Sequence, residues 1–113
     1  MTNQNQTVSY RRPDGTKAEA IIPRTAADVR NQPDVPAWVL VVLALSPRVD
    51  GQKVYSSFTC QQIKRLEAQF GPELLRFQLE SLLTDMLGGF TPNNPMGLFI
   101  HRVRLSPNRV DLT

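Results

Sequence analysis

Apolar residues recur every three or four positions through residues 59–70, and this spacing predicts a helix. The residues that line its apolar face are Ile63, Leu66 and Phe70. Thr59 is suited to the N-cap position because its hydroxyl can accept a hydrogen bond from an unpaired amide of the first turn. Gln62, three residues later, would complete a capping box. We therefore predict that the helix begins at Thr59.

A second and more apolar helix is predicted over residues 72–87, directly after a Gly-Pro break. Gly71 is suited to the end of one helix and Pro72 to the first position of the next. The apolar residues that keep helical spacing are Leu75, Leu79, Leu82, Leu83 and Met86. A stripe of this width indicates burial against more than one neighbour. We expect residues 59–87 to form a central helical hairpin and the centre of the core.

The N-terminal part of the chain has the pattern of a β-hairpin preceded by a polar tail. Residues 1–6 are rich in Asn, Gln and Thr, which predicts a disordered tail. Residues 7–12 and 17–22 alternate apolar and polar positions around the turn sequence Pro-Asp-Gly-Thr at 13–16. The remaining length, residues 7–113, is that of one small globular domain.

Two apolar segments fit either a helix or a strand. Residues 37–45 form a short apolar run that follows a proline, which favours a buried helix, but their valines also fit a buried strand. Residues 98–105 alternate like a strand, yet Asn94 and Pro95 before them form a helix start signal. Residues 25–30 could form one helical turn, and residues 53–55 a brief strand in the loop 46–58. We predict a mainly helical α+β fold: three or four short helices around the central helical hairpin, with a small N-terminal β-hairpin.

Composition gives little support for catalysis. His101 is the only histidine and Cys60 the only cysteine, so neither a His cluster nor a pair of thiolates is available to a metal. No Gly-rich phosphate-binding loop is present. We therefore expect a protein that is not an enzyme and has no catalytic residues, metal or cofactor. The single cysteine and the polar N-terminus also predict a cytoplasmic protein without a membrane segment.

The net charge permits binding to nucleic acid, and the positions of the basic residues along the chain indicate it. The chain has 13 Lys and Arg against 10 Asp and Glu, a net charge of +3. Residues 96–110 contain three arginines and no acidic residue, and two further cations lie on the polar side of the first central helix. The predicted phosphate contacts are Arg102, Arg104, Arg109, Lys64 and Arg65. The alternative is that these charges serve only to keep a small domain in solution. A helix-turn-helix is disfavoured because the second helix is too apolar to read bases.

Residues 94–99, Asn-Pro-Met-Gly-Leu-Phe, follow a long helix and lead into Arg102 and Arg104. This segment resembles the Asn-Pro-x-Gly-aromatic helix near the C-terminus of DnaD-like and other phage or plasmid replication-initiator proteins. The resemblance extends over residues 58–105 at most, and Leu98 stands where an aromatic residue is usual. It implies a helical element close to nucleic-acid-binding and loader functions.

The sequence thus predicts a non-enzymatic, nucleic-acid-associated accessory protein of replication or transcription type. The alternative is a small adaptor or inhibitor that docks on a larger protein partner, or that pairs with a second copy through its apolar helix faces. A hairpin with a free edge suits that alternative. Trp38, Phe90 and Phe99 would be its anchors if they were exposed, but the interpretation that all three belong to the core is favoured.

Overall fold

Residues 7–106 are the part of the chain that the computed structural model describes, apart from the side chains at positions 48, 49, 52 and 53. The predicted tail, residues 1–6, and Arg109 lie outside this part. Its elements are β1 (Thr7–Arg11), β2 (Lys17–Ile21), α1 (Ala26–Arg30), α2 (Ala37–Leu45), β3 (Arg48–Val49), β4 (Gln52–Lys53), α3 (Ser57–Phe70), α4 (Pro72–Leu87) and α5 (Pro95–Leu105). The predicted mainly helical α+β class is confirmed. The five-residue α1 is the predicted single helical turn, and it adds to four longer helices.

The N-terminal hairpin forms as predicted. β1 and β2 pair antiparallel, with Thr7 opposite Ile21 and Arg11 opposite Lys17. In the turn, the Thr16 amide and hydroxyl both donate to Asp14 Oδ1, at 3.0 and 2.7 Å. These hydrogen bonds lower the pKa of Asp14 because they stabilise the ionised carboxylate. The hydrogen bond from the Thr16 amide has the largest effect, and that from the Thr16 hydroxyl follows.

The core is built around α2 and α4. Seven of the nine residues of α2 are buried, and α2 packs against α3, α4 and α5. The predicted stripe of α4 is buried at Leu75, Leu79, Leu82 and Leu83. Because α2 has neighbours on several sides, it carries no polar face, which explains why periodicity alone left it ambiguous. Of the two helices, α2 is the more completely buried. The centre of the core is therefore shared between α2 and the predicted helical hairpin.

Residues 98–105 are also helical, because the start signal at Asn94 is used. The Asn94 side chain accepts a hydrogen bond from the Gly97 amide at 3.0 Å, and Pro95 occupies the first turn of α5. Phe99 and Val103, four residues apart, are the buried positions that fix α5 on the core. Among the helices of residues 7–106, none combines the length and the apolar character needed to cross a membrane.

The start of α3 differs from the prediction. Ser56, rather than Thr59, is the N-cap, and its side chain accepts a hydrogen bond from the Thr59 amide at 3.0 Å. Three serine or threonine residues at positions 56, 57 and 59 compete for this role, and the cap at Ser56 lengthens the helix by nearly one turn. As a result Phe58 lies within α3 instead of in the preceding loop.

Gly71 joins α3 to α4 with φ at 93° and ψ at 148°, a conformation that is open in practice only to glycine. The prediction of a sharp Gly-Pro break is therefore confirmed.

A second hairpin, whose strands have two residues each, lies in the loop before α3. β3 pairs with β4 across Asp50 and Gly51, whose φ angles of 54° and 81° are those of a type I′ turn. We expected a strand at residues 53–55, but the pairing involves Gln52–Lys53 because the turn fixes the register.

Candidate nucleic-acid interface

A groove between α3 and α5 brings together two of the predicted phosphate contacts. It has a volume of about 350 Å³. The described residues that line it, hereafter the α3/α5 groove, are Phe58, Gln61, Gln62, Arg65, Leu66, Gln69 and Arg104. None of them is acidic, so the arginines meet no opposing charge from this lining.

Arg65 and Arg104 are held in place by buried neighbours in the chain. Leu66 follows Arg65, Val103 precedes Arg104, and both apolar side chains are buried. The helix backbone at each arginine is therefore anchored to the core, while each arginine is an exposed residue. Within residues 7–106 we find no ion pair and no hydrogen bond from either guanidinium group. Both groups are thus available to an external anion.

Arg102, by contrast, has an internal partner. Its Nη1 lies 3.0 Å from Asp85 Oδ2, so it bridges α5 to α4. The two side chains are 28% and 44% exposed, and a pair this open to solvent is worth about 0.2–1 kcal/mol. A phosphate would have to compete with Asp85 for this arginine.

Lys64 also has an internal partner, on the other side of α3. Its Nζ lies 4.5 Å from the centre of the Trp38 ring, within cation–π range. Lys64 lines a second and larger depression, with a volume of about 680 Å³, that we call the Arg76 depression. Its described lining includes three carboxylate residues: Asp34, Glu67 and Glu73. Lys64 is therefore separated from the α3/α5 groove by the helix itself.

Arg76 organises the Arg76 depression through its hydrogen bonds. This arginine is not among the residues that the sequence pattern predicts as functional. Its guanidinium group donates to the backbone carbonyl of Val29 in α1 (3.1 Å) and to three carbonyls of the α1–α2 connection, which are those of Gln32 (2.9 Å), Pro33 (3.3 Å) and Val35. Prolines at 33 and 36 have no amide to donate, so this connection is short of internal donors. An arginine on a neighbouring helix supplies them. The sequence signal that could have revealed Arg76 is the combination of two prolines before α2 with a single arginine in the leucine-rich helix α4.

Phe58 is the second residue that sequence reasoning missed. It is 77% exposed, although phenylalanine is among the most frequently buried residue types. With α3 starting at Ser57, Phe58 shares one helix face with Gln62, Arg65 and Gln69, at spacings of four, three and four residues. Had the N-cap been assigned to Ser56, this mixed aromatic and basic face would have been visible in the sequence.

The remaining candidate side chains lie elsewhere. Phe99 is fully buried and Trp38 is half-buried, whereas Phe90 is exposed. His101 is exposed on α5, and Cys60 lines an apolar cleft next to β1. No group of three or more His, Cys, Asp or Glu side chains within residues 7–106 is arranged to hold a metal ion.

Comparisons of the chain with protein-family models, with curated proteins and with solved structures gave no match. The resemblance of residues 58–105 to DnaD-like proteins therefore stays a prediction. The geometry of the grooves carries the functional argument.

Proposed function

We propose that this is a non-enzymatic accessory protein that binds nucleic acid through the α3/α5 groove, with Arg65 and Arg104 contacting backbone phosphates. The observation that carries the proposal is the contrast within the set of predicted cations. Lys64 and Arg102 have partners inside the fold, whereas Arg65 and Arg104 face one groove without an acidic residue in its described lining.

The placement of the two arginines supports a polyanion as the ligand. The two guanidinium groups project from two different helices into one groove. A nucleic-acid backbone presents negative charges in a row and suits such a pair. Arginine also offers a planar fork that binds phosphate through two hydrogen bonds at once.

The test is a salt titration in which binding to a labelled oligonucleotide is measured by fluorescence anisotropy. Each phosphate contact releases counterions, so the logarithm of the affinity should fall linearly with that of the salt concentration between about 50 and 200 mM. The Arg65→Gln/Arg104→Gln double variant should bind more weakly, with a slope that is smaller by about 0.7–0.9 for each arginine removed.

The matched control is Lys17→Gln/Arg24→Gln, which removes the same formal charge from exposed positions that do not line the groove. We expect this control to keep nearly the whole wild-type slope. Equal losses in the two double variants would indicate a response to net charge alone and would contradict the proposed site.

A second candidate function, that of a protein-binding adaptor, is favoured by the outer edge of β1. The Arg12 amide donates to the Thr16 carbonyl, so by the alternation of an antiparallel ladder the backbone of Ser9 points away from β2. On the other strand, the Gln32 side chain bonds both the amide and the carbonyl of Ile21 and occupies that edge.

The edge of β1 borders the apolar cleft of about 220 Å³, whose lining includes Tyr10, Trp38 and Tyr55. An extended segment of a partner could add to β1 and place alternate side chains in this cleft. Ser9→Pro removes an outward amide and should abolish such an interaction while nucleic-acid binding stays unchanged. A partner that still co-purifies with the Ser9→Pro variant would rule out this edge.

A further inference from the structure

Phe58 lies at the α3/α5 groove in a position that a merely structural role does not explain. Phe58 is 77% exposed, so it contributes little to the core. It lines the groove together with both free arginines. An aromatic face beside unpaired guanidinium groups is the combination that proteins use to hold unpaired bases and their phosphates together.

The uncharged side chains of the groove fit the same ligand. Gln61, Gln62 and Gln69 line the groove next to the arginines, and each side-chain amide offers both donors and an acceptor. Such groups can contact sugars or base edges without a fixed sequence preference. The lining thus supplies the three kinds of contact that a single strand offers: a ring face for a base, cations for phosphates and amides for polar edges.

We infer that the α3/α5 groove takes single-stranded nucleic acid, with one base stacked on Phe58 and the flanking phosphates on Arg65 and Arg104. This inference rests on the proposed function and names its substrate class. A duplex keeps its bases stacked on one another, so it cannot offer a base face to Phe58. An acidic peptide would satisfy the arginines but would leave the ring without a planar partner.

The experiment compares three proteins, wild type, Phe58→Leu and Phe58→Tyr, by anisotropy against a labelled oligothymidylate and a labelled duplex of equal length. Stacking on one aromatic side chain is worth about 1–3 kcal/mol, so Phe58→Leu should weaken single-strand binding roughly 5- to 150-fold. Phe58→Tyr keeps a stacking face and should bind within about two- to threefold of wild type. Duplex binding should be insensitive to position 58 and weaker than single-strand binding in wild type and Phe58→Tyr, so the preference for the single strand should shrink or vanish in Phe58→Leu.

Since Phe58 is exposed, the substitutions should leave the circular dichroism spectrum and the unfolding midpoint unchanged, which keeps the binding comparison valid. Equal single-strand and duplex affinities, with Phe58→Leu like wild type, would overturn the inference while the proposed function stands. Competition by poly-glutamate as effective as that by oligothymidylate, again with no effect of Phe58→Leu, would indicate an acidic-peptide site and overturn it as well. Absence of binding to either oligonucleotide would overturn both the inference and the proposed function.

Discussion

Lys64 and Arg65 are neighbours in α3, yet they face two depressions with different chemistry. Lys64 lies over the Trp38 ring and lines the Arg76 depression, where carboxylates are also present. Arg65 lines the α3/α5 groove, where the described lining holds a second arginine, glutamines and Phe58. Successive residues of a helix differ by about 100° in direction, so a basic dipeptide is divided between two environments.

The number of cations is therefore a poor guide to the position of a binding surface. Arg76 and Lys64 contribute to the internal organisation of the fold, because they satisfy carbonyls and cover a ring. Arg65 and Arg104 have no such partner within residues 7–106. A cation that is free after folding is the one available to a ligand, and only the tertiary structure identifies it.

The largest expected effect follows from removing Arg76. Arg76→Met keeps much of the aliphatic stem but leaves the carbonyls of Pro33 and Val35 without this donor, whereas those of Val29 and Gln32 still accept from backbone amides. An unsatisfied buried polar group costs about 1–3 kcal/mol, so we expect the free energy of unfolding to fall by about 2–3 kcal/mol in urea denaturation. The matched variant Arg104→Met should change stability by less than about 0.5 kcal/mol. A similar loss in the two variants would contradict the distinction between structural and free arginines.

The next effect concerns Gly71, which borders the Arg76 depression but not the α3/α5 groove. An added Cβ would meet only Glu73 Oε1, at 3.6 Å, so space is available for it. The positive φ is the obstacle, and such a conformation costs a non-glycine residue about 1–3 kcal/mol. Gly71→Ala should therefore lower the unfolding free energy by that amount. Gly88→Ala, at a φ of −80°, serves as the control and should be nearly neutral.

A smaller effect is expected when Arg102 is released from Asp85. Asp85→Asn removes a partly exposed ion pair, so stability should fall by less than about 1 kcal/mol. The freed arginine lies two residues from Arg104 in α5, and oligonucleotide affinity should rise with a slightly steeper salt dependence. Glu19→Gln, which makes the same charge change on exposed β2, should raise the affinity less. Equal gains in both variants would show that Arg102 does not reach the bound strand.

The smallest effect is local to the hairpin turn, away from both depressions. The folded state lowers the pKa of Asp14, so its carboxylate stabilises the hairpin at neutral pH. That contribution should be lost as the pH falls below the ordinary value of 3.8 and through the lower folded pKa. An NMR titration of the Thr16 amide should show an inflection below 3.8, and Asp14→Asn should abolish it. An inflection at or above 3.8 would indicate that the Thr16 hydrogen bonds are not kept in solution.

Much of the fold could be predicted because local signals agree with one another. The Pro-Asp-Gly turn, the Gly71–Pro72 joint and the leucine stripe of α4 each specify their structure with residues close in sequence. The start of α3 could not be fixed in this way, because adjacent hydroxyl residues offer equivalent caps. Because of this ambiguity of a few residues, the pattern assigns Phe58 to the preceding loop rather than to the face of α3.

The site could be predicted only as a set of candidate cations. Whether Lys64, Arg65, Arg102 or Arg104 is free depends on partners such as Trp38 that are distant in sequence. Arg76 was missed for the same reason, since the carbonyls that it binds become neighbours only after α1 and α4 pack together. Periodicity describes one helix at a time and carries no information about such contacts.

The most direct test follows the arginine side-chain Nε–H signals of the ¹⁵N-labelled protein by NMR while oligothymidylate is added. Each guanidinium group then reports its own contacts. We expect the signals of Arg65 and Arg104 to shift progressively to saturation, while that of Arg76 stays in place. Shifts at Arg76 with Arg65 and Arg104 unmoved, or no shift at any arginine, would contradict it.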